Sequence, residues 1–330
     1  MRITSKISRL KRGIALTLFS GLLFAAGCGR AQYEMPYTVN PDVSAFRIVD
    51  IQEEGRMAEA FAVDLCVSSS DVNAGAVELS EGSGAGLFDL NQKRILYGRD
   101  IHERMYPASL TKIMTALVAL KHSSADTLLT ASANVTNLES GATTCGLREG
   151  DQMTLAQALH VLLINSANDA AVMIAEGIAG SIEGFSEMMN EEALQLGATN
   201  THFVNPHGLS DEEHYTTVYD IYLIMNEAVK YDMFNEIIRM AEYTTVYNDR
   251  NGSPKELSVK STNAYLSGTE APAGVTVMGG KTGTTSAARN CLVLLARDTA
   301  GNPYISVILK AETRDALYLQ MTELLNEINN

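Results

Sequence analysis

Tyr106-Pro107-Ala108-Ser109-Leu110-Thr111-Lys112-Ile113-Met114-Thr115 opens the most regular part of the chain. Beyond Ser109 the apolar residues Ile113, Met114, Leu117 and Val118 recur at helical spacing, which predicts a helix over 109–121. Pro107 and Ala108 stand just before it. Ser109 is therefore expected at a helix N-terminus, where aligned peptide dipoles favour developing negative charge. Lys112 follows at i+3, on the same face and within reach of the serine hydroxyl. A serine hydroxyl is a poor nucleophile without a base. A lysine can be that base once burial or a neighbouring cation lowers its pKa.

Working outward, 84–88 and 94–97 flank the turn-rich 89–93 and read as a β-hairpin. Further upstream, Phe61, Val63, Leu65 and Val67 alternate, which predicts one short strand. Downstream, 154–179 carries two helical patterns broken near 165–168, and 182–196 and 218–241 are also helical in pattern, so 110–245 reads as a mostly helical block. The period then changes. Short apolar runs at 275–278, 291–296 and 304–309, separated by Gly, Asn and Asp turns, read as antiparallel strands. A last helix is expected over 314–328, with Leu317, Met321, Leu324, Leu325 and Ile328 on one side. Strands at both ends and helices between them predict an α/β (α+β) fold. Its antiparallel sheet is formed by both chain ends, and a mostly helical subdomain is inserted.

The first residues read as an address. Arg2, Lys6, Arg9, Lys11 and Arg12 precede an uncharged, mostly apolar run over 13–27, too short to span a bilayer. It ends Phe24-Ala25-Ala26-Gly27-Cys28, which resembles a bacterial lipobox whose cysteine is lipidated, although Ala25 stands where Leu is usual. The expected organisation is a lipoprotein signal peptide over 1–27, a membrane tether and irregular segment over 28–80, and a catalytic domain over 81–330. The expected location is the cell envelope, on the outer face of the cytoplasmic membrane, held by a lipid anchor on Cys28. No later stretch is long and apolar enough to span a bilayer. With 46% apolar residues the chain can build a full core. A net charge of −14 opposes binding to nucleic acid. Cys66, Cys145 and Cys291 remain after Cys28, at spacings that match no zinc site; one disulfide with a free thiol and three buried thiols both fit.

Two further short motifs have the local structure that serine chemistry needs. Ser166-Ala167-Asn168 falls at the break between two helices, where a loop can aim side chains into a cleft. The Ser166 hydroxyl can relay a proton, and the Asn168 amide can hold a peptide group. Lys281-Thr282-Gly283 follows Gly279-Gly280 at the start of the strand-rich part. There Gly283 lets a substrate backbone lie alongside the strand, Lys281 adds positive charge, and Thr282 offers a donor to a carboxylate. The N–H groups of Ser109 and Thr284 are expected to form an oxyanion hole. Each motif alone is weak, since Ser8-Arg9-Leu10-Lys11 and Ser132-Ala133-Asn134 repeat two of the patterns elsewhere.

The three motifs in this order resemble the serine β-lactamase and penicillin-binding protein superfamily. The segment 106–115 and Ser166-Ala167-Asn168-Asp169-Ala170-Ala171 look like those of the D-alanyl-D-alanine carboxypeptidases of low molecular mass. Phe203-Val204-Asn205-Pro206-His207-Gly208-Leu209, Thr262-Asn263 and 280–285 match further landmarks of that family, so the likeness covers roughly 84–328. The resemblance implies that Ser109 is the acyl-ester nucleophile, Lys112 its proton acceptor, and Ser166 an aid to leaving-group protonation. It implies that Asn168, Lys281, Thr282, Gly283 and Thr284 bind substrate, and that an arginine near the start of the last helix holds the substrate carboxylate; the nearest candidate is Arg314, about one turn early by helix register, with a surface helix-start arginine as the alternative reading. The implied reaction removes the terminal D-alanine from peptidoglycan stem peptides (D-Ala-D-Ala), with β-lactams as inhibitors and no metal or cofactor. Only 47 residues follow Gly283, so the β-rich domain that many relatives carry is not expected here.

Three other readings compete. A class A-like β-lactamase needs a glutamate-positioned water, and the nearest match, Glu191-Glu192-Ala193-Leu194-Gln195, lies inside a helical pattern and reads as a solvated helix face. A catalytically inactive peptidoglycan-binding lipoprotein would be expected to lack the nucleophile or base, and both are present. A triad hydrolase finds no G-x-S-x-G elbow, and His207 reads as part of a turn.

Overall fold

The computed structural model describes residues 62–73 and 75–329. The signal segment, Cys28 and most of the tether fall outside the described residues.

Strands β1 (Gly84–Asp89) and β2 (Arg94–Arg99) form the N-terminal hairpin. Strands β7 (Thr276–Thr285), β8 (Arg289–Arg297) and β9 (Pro303–Ala311) come from the other end of the chain. The five join in the order β2-β1-β9-β8-β7, with every neighbour antiparallel. The last strand, β9, thus lies between the first strand and the rest, in register from Gly84 opposite Leu309 to Asp89 opposite Tyr304. This is the expected sheet from both chain ends.

The strands β8 and β9 read as continuous apolar runs because the sheet is covered on both faces. Val293, Leu295, Ile305 and Val307 point into the larger core, against the helices. Leu292, Leu294, Ala296 and Ile308 point to the opposite face, against Leu317, Met321, Leu324 and Leu325 of the C-terminal helix (Arg314–Asn326).

Six helices fill the segment between β2 and β7: α1 (Thr111–His122), α2 (Leu155–Ile164), α3 (Asn168–Ala179), α4 (Ile182–Gln195), α5 (Val218–Ala228) and α6 (Asp232–Ile238). The C-terminal helix is α7. Helix α1 is buried on all sides from Thr111 to Ala119, packed among α2, α3, α4 and α5. It is the central post of the helical region. The break at 165–168 lies where expected, and α2 begins at a reciprocal cap between Thr154 and Gln157.

Two expectations need correction. Residues 62–67 are not a strand. Leu65 closes a turn on Ala62, and Cys66 is pinned to α5, its N–H donating to the Tyr222 hydroxyl at 2.8 Å while Tyr219 donates to its carbonyl at 2.8 Å. Val63 and Val67 are exposed, so the alternation faces no core. Second, the helical block contains a four-stranded sheet, β3-β4-β5-β6, built from Leu128–Thr130, Gln152–Thr154, Glu242–Asn248 and Pro254–Lys260. Helix therefore stops at Ile238, and the hairpin of β5 and β6 fills the stretch between the helical pattern over 218–241 and the strand run at 275–278. Of the two readings of the cysteines, the structure has the three free thiols among the described residues: Cys66 and Cys291 are buried and Cys145 is half-buried. Among the described residues no helix is long and apolar enough to cross a membrane.

Candidate active site

Ser109 lies in a single 3-10 turn, Ala108–Leu110, immediately before α1. The turn starts from Ala108 at φ +47°, a conformation uncommon for alanine. Two glycines make room for it. A Cβ on Gly208, itself at φ +87°, would lie 1.9 Å from the Ala108 carbonyl oxygen. A Cβ on Gly283 would meet both Ala108 Cβ and Ser109 N at 3.0 Å. Gly283 is therefore small because the nucleophile turn packs on β7, a reason different from the substrate contact expected from the sequence.

Lys112 is fully buried at the centre of the site. Its Nζ donates to Asn168 Oδ1 at 2.6 Å and to the His207 carbonyl at 2.6 Å, and stands 3.0 Å from Ser109 Oγ. Burial drives its pKa well below the ordinary lysine value. The cation of Lys281 pushes the same way, and Asp169 opposes. A neutral amine keeps two N–H bonds and one lone pair. Asn168 Oδ1 and the His207 carbonyl only accept, so they take the two N–H groups and leave the lone pair for the proton of Ser109. The arrangement can activate a serine hydroxyl.

On the facing side, Lys281 donates to Ser166 Oγ at 3.0 Å and to the Thr282 carbonyl at 2.9 Å. Burial lowers its pKa to about 7. Ser166 itself is held at φ +65° in the break between α2 and α3. With Asn168 Oδ1 on Lys112, the amide N–H₂ is left for another partner. The loop beside it is locked by Asp169, whose buried carboxylate accepts the N–H groups of Cys145, Gly146, Leu147 and Ala170 at 2.9–3.1 Å. The sequence carried no sign of this cradle beyond an acid at a helix start.

Strand β7 is the edge of its sheet, so one row of its backbone groups is open to an extended peptide. Thr282 shares a short hydroxyl contact with Thr262, and Thr284 is exposed on the same strand. Arg314 is the first residue of α7. Its guanidinium donates to the Thr262 carbonyl at 3.0 Å and lies 5.5 Å from the Tyr318 ring centre, exposed to solvent. The structure thus forms two hydrogen-bonded groups, Lys112 with Ser109 and Asn168, and Lys281 with Ser166, with Thr282, Gly283 and Thr284 along the edge strand and Arg314 reaching the Thr262 carbonyl beyond. The His207 carbonyl joins through its backbone, which no side-chain motif could announce.

Glu192, from the rival glutamate pattern, is not solvated as expected: it is buried and paired with Lys121 at 2.7 Å. Lys121 lies nine positions beyond Lys112 on α1, about 13 Å along the helix axis, so this carboxylate does not sit beside Ser109. Among the described residues no group of three His, Cys, Asp or Glu side chains is placed to hold a metal ion.

A helical insertion on an antiparallel sheet, with a serine and a buried lysine where the two meet, defines a class of architecture able to support lysine-assisted serine acyl transfer. Within that class the particular match is clear: the family model described as D-alanyl-D-alanine carboxypeptidase (Peptidase_S11) matches residues 73–313, and the chain belongs to this family. It is 34% identical to the D-alanyl-D-alanine carboxypeptidase DacF of Bacillus subtilis, over 74% of this chain and 61% of that protein. It is 30% identical to DacC of Escherichia coli, over 77% of this chain and 60% of that one. The chain thus spans about 60% of the length of these curated relatives. Among solved structures, it matches the Streptomyces K15 DD-transpeptidase at a TM-score of 0.69 and 28% identity, covering 78% of this chain and 98% of that one. The D-alanyl-D-alanine carboxypeptidase of Mycobacterium tuberculosis gives 0.67 and 26%, covering 79% and 96%.

Proposed function

We propose that this protein is a serine D-Ala-D-Ala carboxypeptidase that removes the terminal D-alanine of peptidoglycan stem peptides through an acyl-enzyme on Ser109. The observation that carries this reading is Lys112 Nζ, buried, 3.0 Å from Ser109 Oγ and without an anionic partner among the described residues. In the reaction Lys112 takes the Ser109 proton as Oγ attacks the penultimate D-Ala carbonyl. The N–H groups of Ser109 and Thr284 receive the oxyanion. Ser166, bonded to Lys281, passes a proton to the leaving amine as the C–N bond breaks and takes up in its place the proton that Lys112 removed from Ser109, which returns Lys112 to the neutral amine. Lys281, Thr282 and Arg314 hold the terminal carboxylate, and Asn168 and the open edge of β7 hold the peptide. Water then attacks the ester, returns the proton to Ser109 and frees the shortened stem. A β-lactam would acylate Ser109 in the same way.

The envelope is where this substrate lies. The lipobox-like Cys28 supports a lipid anchor after removal of 1–27, with 28–80 as tether and 81–330 as catalytic domain on the outer face of the cytoplasmic membrane.

Intact mass of residues 30–330 mixed with a penicillin tests the reading. The expected result is one lasting adduct per chain, none on Ser109→Ala, and D-alanine released from a D-Ala-D-Ala peptide. Penicillin consumed without an adduct would make the protein a β-lactamase. Neither adduct nor turnover would make it an inactive binding protein.

A further inference from the structure

Behind the nucleophile turn runs a buried hydrogen-bonded chain that the mechanism above does not use. His214 is 1% exposed. The N–H of Val204 donates to its Nδ1 at 3.1 Å, its Nε2 lies 2.8 Å from Thr111 Oγ1, and the Thr111 hydroxyl donates to the Ala108 carbonyl at 2.8 Å. The two ends fix every direction between them. A backbone N–H can only donate, so Nδ1 carries no proton and Nε2 does. Nε2–H then donates to Thr111 Oγ1, whose own proton goes to a carbonyl that can only accept. Burial holds the imidazole at a pKa of about 4; Asp211 opposes, while His202 and Lys112 push the same way. The neutral tautomer that this chain requires is the form present at neutral pH.

The acceptor at its end has a second half. The Ala108 carbonyl and the Ser109 N–H belong to one planar peptide unit and point in opposite directions. Turning the carbonyl turns the amide. Ala108 is also in a conformation that alanine does not hold without support. We propose that Thr111 and His214 are positioning residues for the oxyanion hole: the chain from Val204 through His214 and Thr111 onto the Ala108 carbonyl aims the Ser109 N–H at the developing oxyanion. A hydrogen bond on the carbonyl also polarises the peptide and strengthens that N–H as a donor. The inference rests on the acyl-enzyme reading of Ser109.

The test compares wild type, Thr111→Val, Thr111→Ser, His214→Leu and His214→Gln. It measures the rate constant and stoichiometry of penicillin acylation, kcat and KM on a D-Ala-D-Ala peptide, and thermal unfolding. Misaiming one oxyanion donor should slow acylation about tenfold or more in Thr111→Val and, independently, in His214→Leu. kcat should fall with it, KM should stay within about twofold, and labelling should still reach one adduct per chain. Thr111→Ser and His214→Gln, which restore the hydroxyl and a donor–acceptor pair, should recover most of the rate. A boronic acid that mimics the tetrahedral intermediate should lose affinity in parallel with kcat. Acylation of the folded Thr111→Val or His214→Leu protein at the wild-type rate constant overturns the inference, as does a loss confined to the fraction of labelled chains. A wild type that never labels overturns the underlying reading instead.

Discussion

On the helix wall of the cleft Lys112 reaches three oxygens, two of them pure acceptors. On the strand wall Lys281 reaches a serine hydroxyl and the carbonyl of its neighbour. Both are buried, and among the described residues neither has a carboxylate at ion-pair distance. Asp169, the acid that acts on Lys112, spends its oxygens on four backbone amides. Two identical side chains are thus set in surroundings that suit them to different roles. Lys112 is surrounded so that its lone pair has one destination, the serine proton. Lys281 sits beside a hydroxyl and an open strand edge, where a substrate anion can supply the missing negative charge.

Breaking this division should have graded effects. Lys112→Met should leave a folded protein whose penicillin acylation is slower by about 10³-fold or more, since the base is lost outright; near-normal acylation in a stopped-flow assay would refute its role. Lys281→Gln should act on the pH profile. With the Lys281 cation gone, Lys112 is easier to protonate, so its pKa rises. The ascending limb of the acylation rate, which follows deprotonation of Lys112, should therefore move to higher pH. An unmoved limb would uncouple the two walls. The smallest effect belongs to the exposed rim: Arg314→Ala should raise KM for a D-Ala-D-Ala peptide roughly threefold to tenfold with kcat nearly unchanged. No change in KM would leave Arg314 as a tie between α7 and the Thr262 carbonyl.

The readable parts of the molecule were those whose signal is local. The hairpin of β1 and β2, helix α1, the break at 165–168 and the strands β7 to β9 all announce themselves by period and turn residues. The second sheet did not. Leu128–Thr130 and Gln152–Thr154 are three residues each, too short to show a period. In β5 and β6 burial alternates strictly, but the inward row includes Thr245 and Lys255 while Val246 faces out, so the apolar alternation that would mark these strands is faint in the sequence. The same limit holds within the site. Ser109, Lys112, Ser166 and Lys281 stand out as reactive side chains in short motifs. The His207 carbonyl, the Asp169 cradle and the His214–Thr111 chain depend on backbone atoms brought together across distant segments, which spacing cannot encode.

The position of β9 carries a consequence for how the protein is made. Until residues 303–311 are available, the hairpin of β1 and β2 has no partner on its inner edge, and the pair of β7 and β8 has nothing to join. Pairing between Gly84 and Leu309 is among the most distant in sequence that the chain makes, and such contacts close slowly. A copy cut before residue 303 therefore carries Ser109, Lys112, Ser166 and Lys281 on two separate hairpins and a helical block, without the five-stranded sheet that sets them against one another. The site is completed by the last strand the chain supplies.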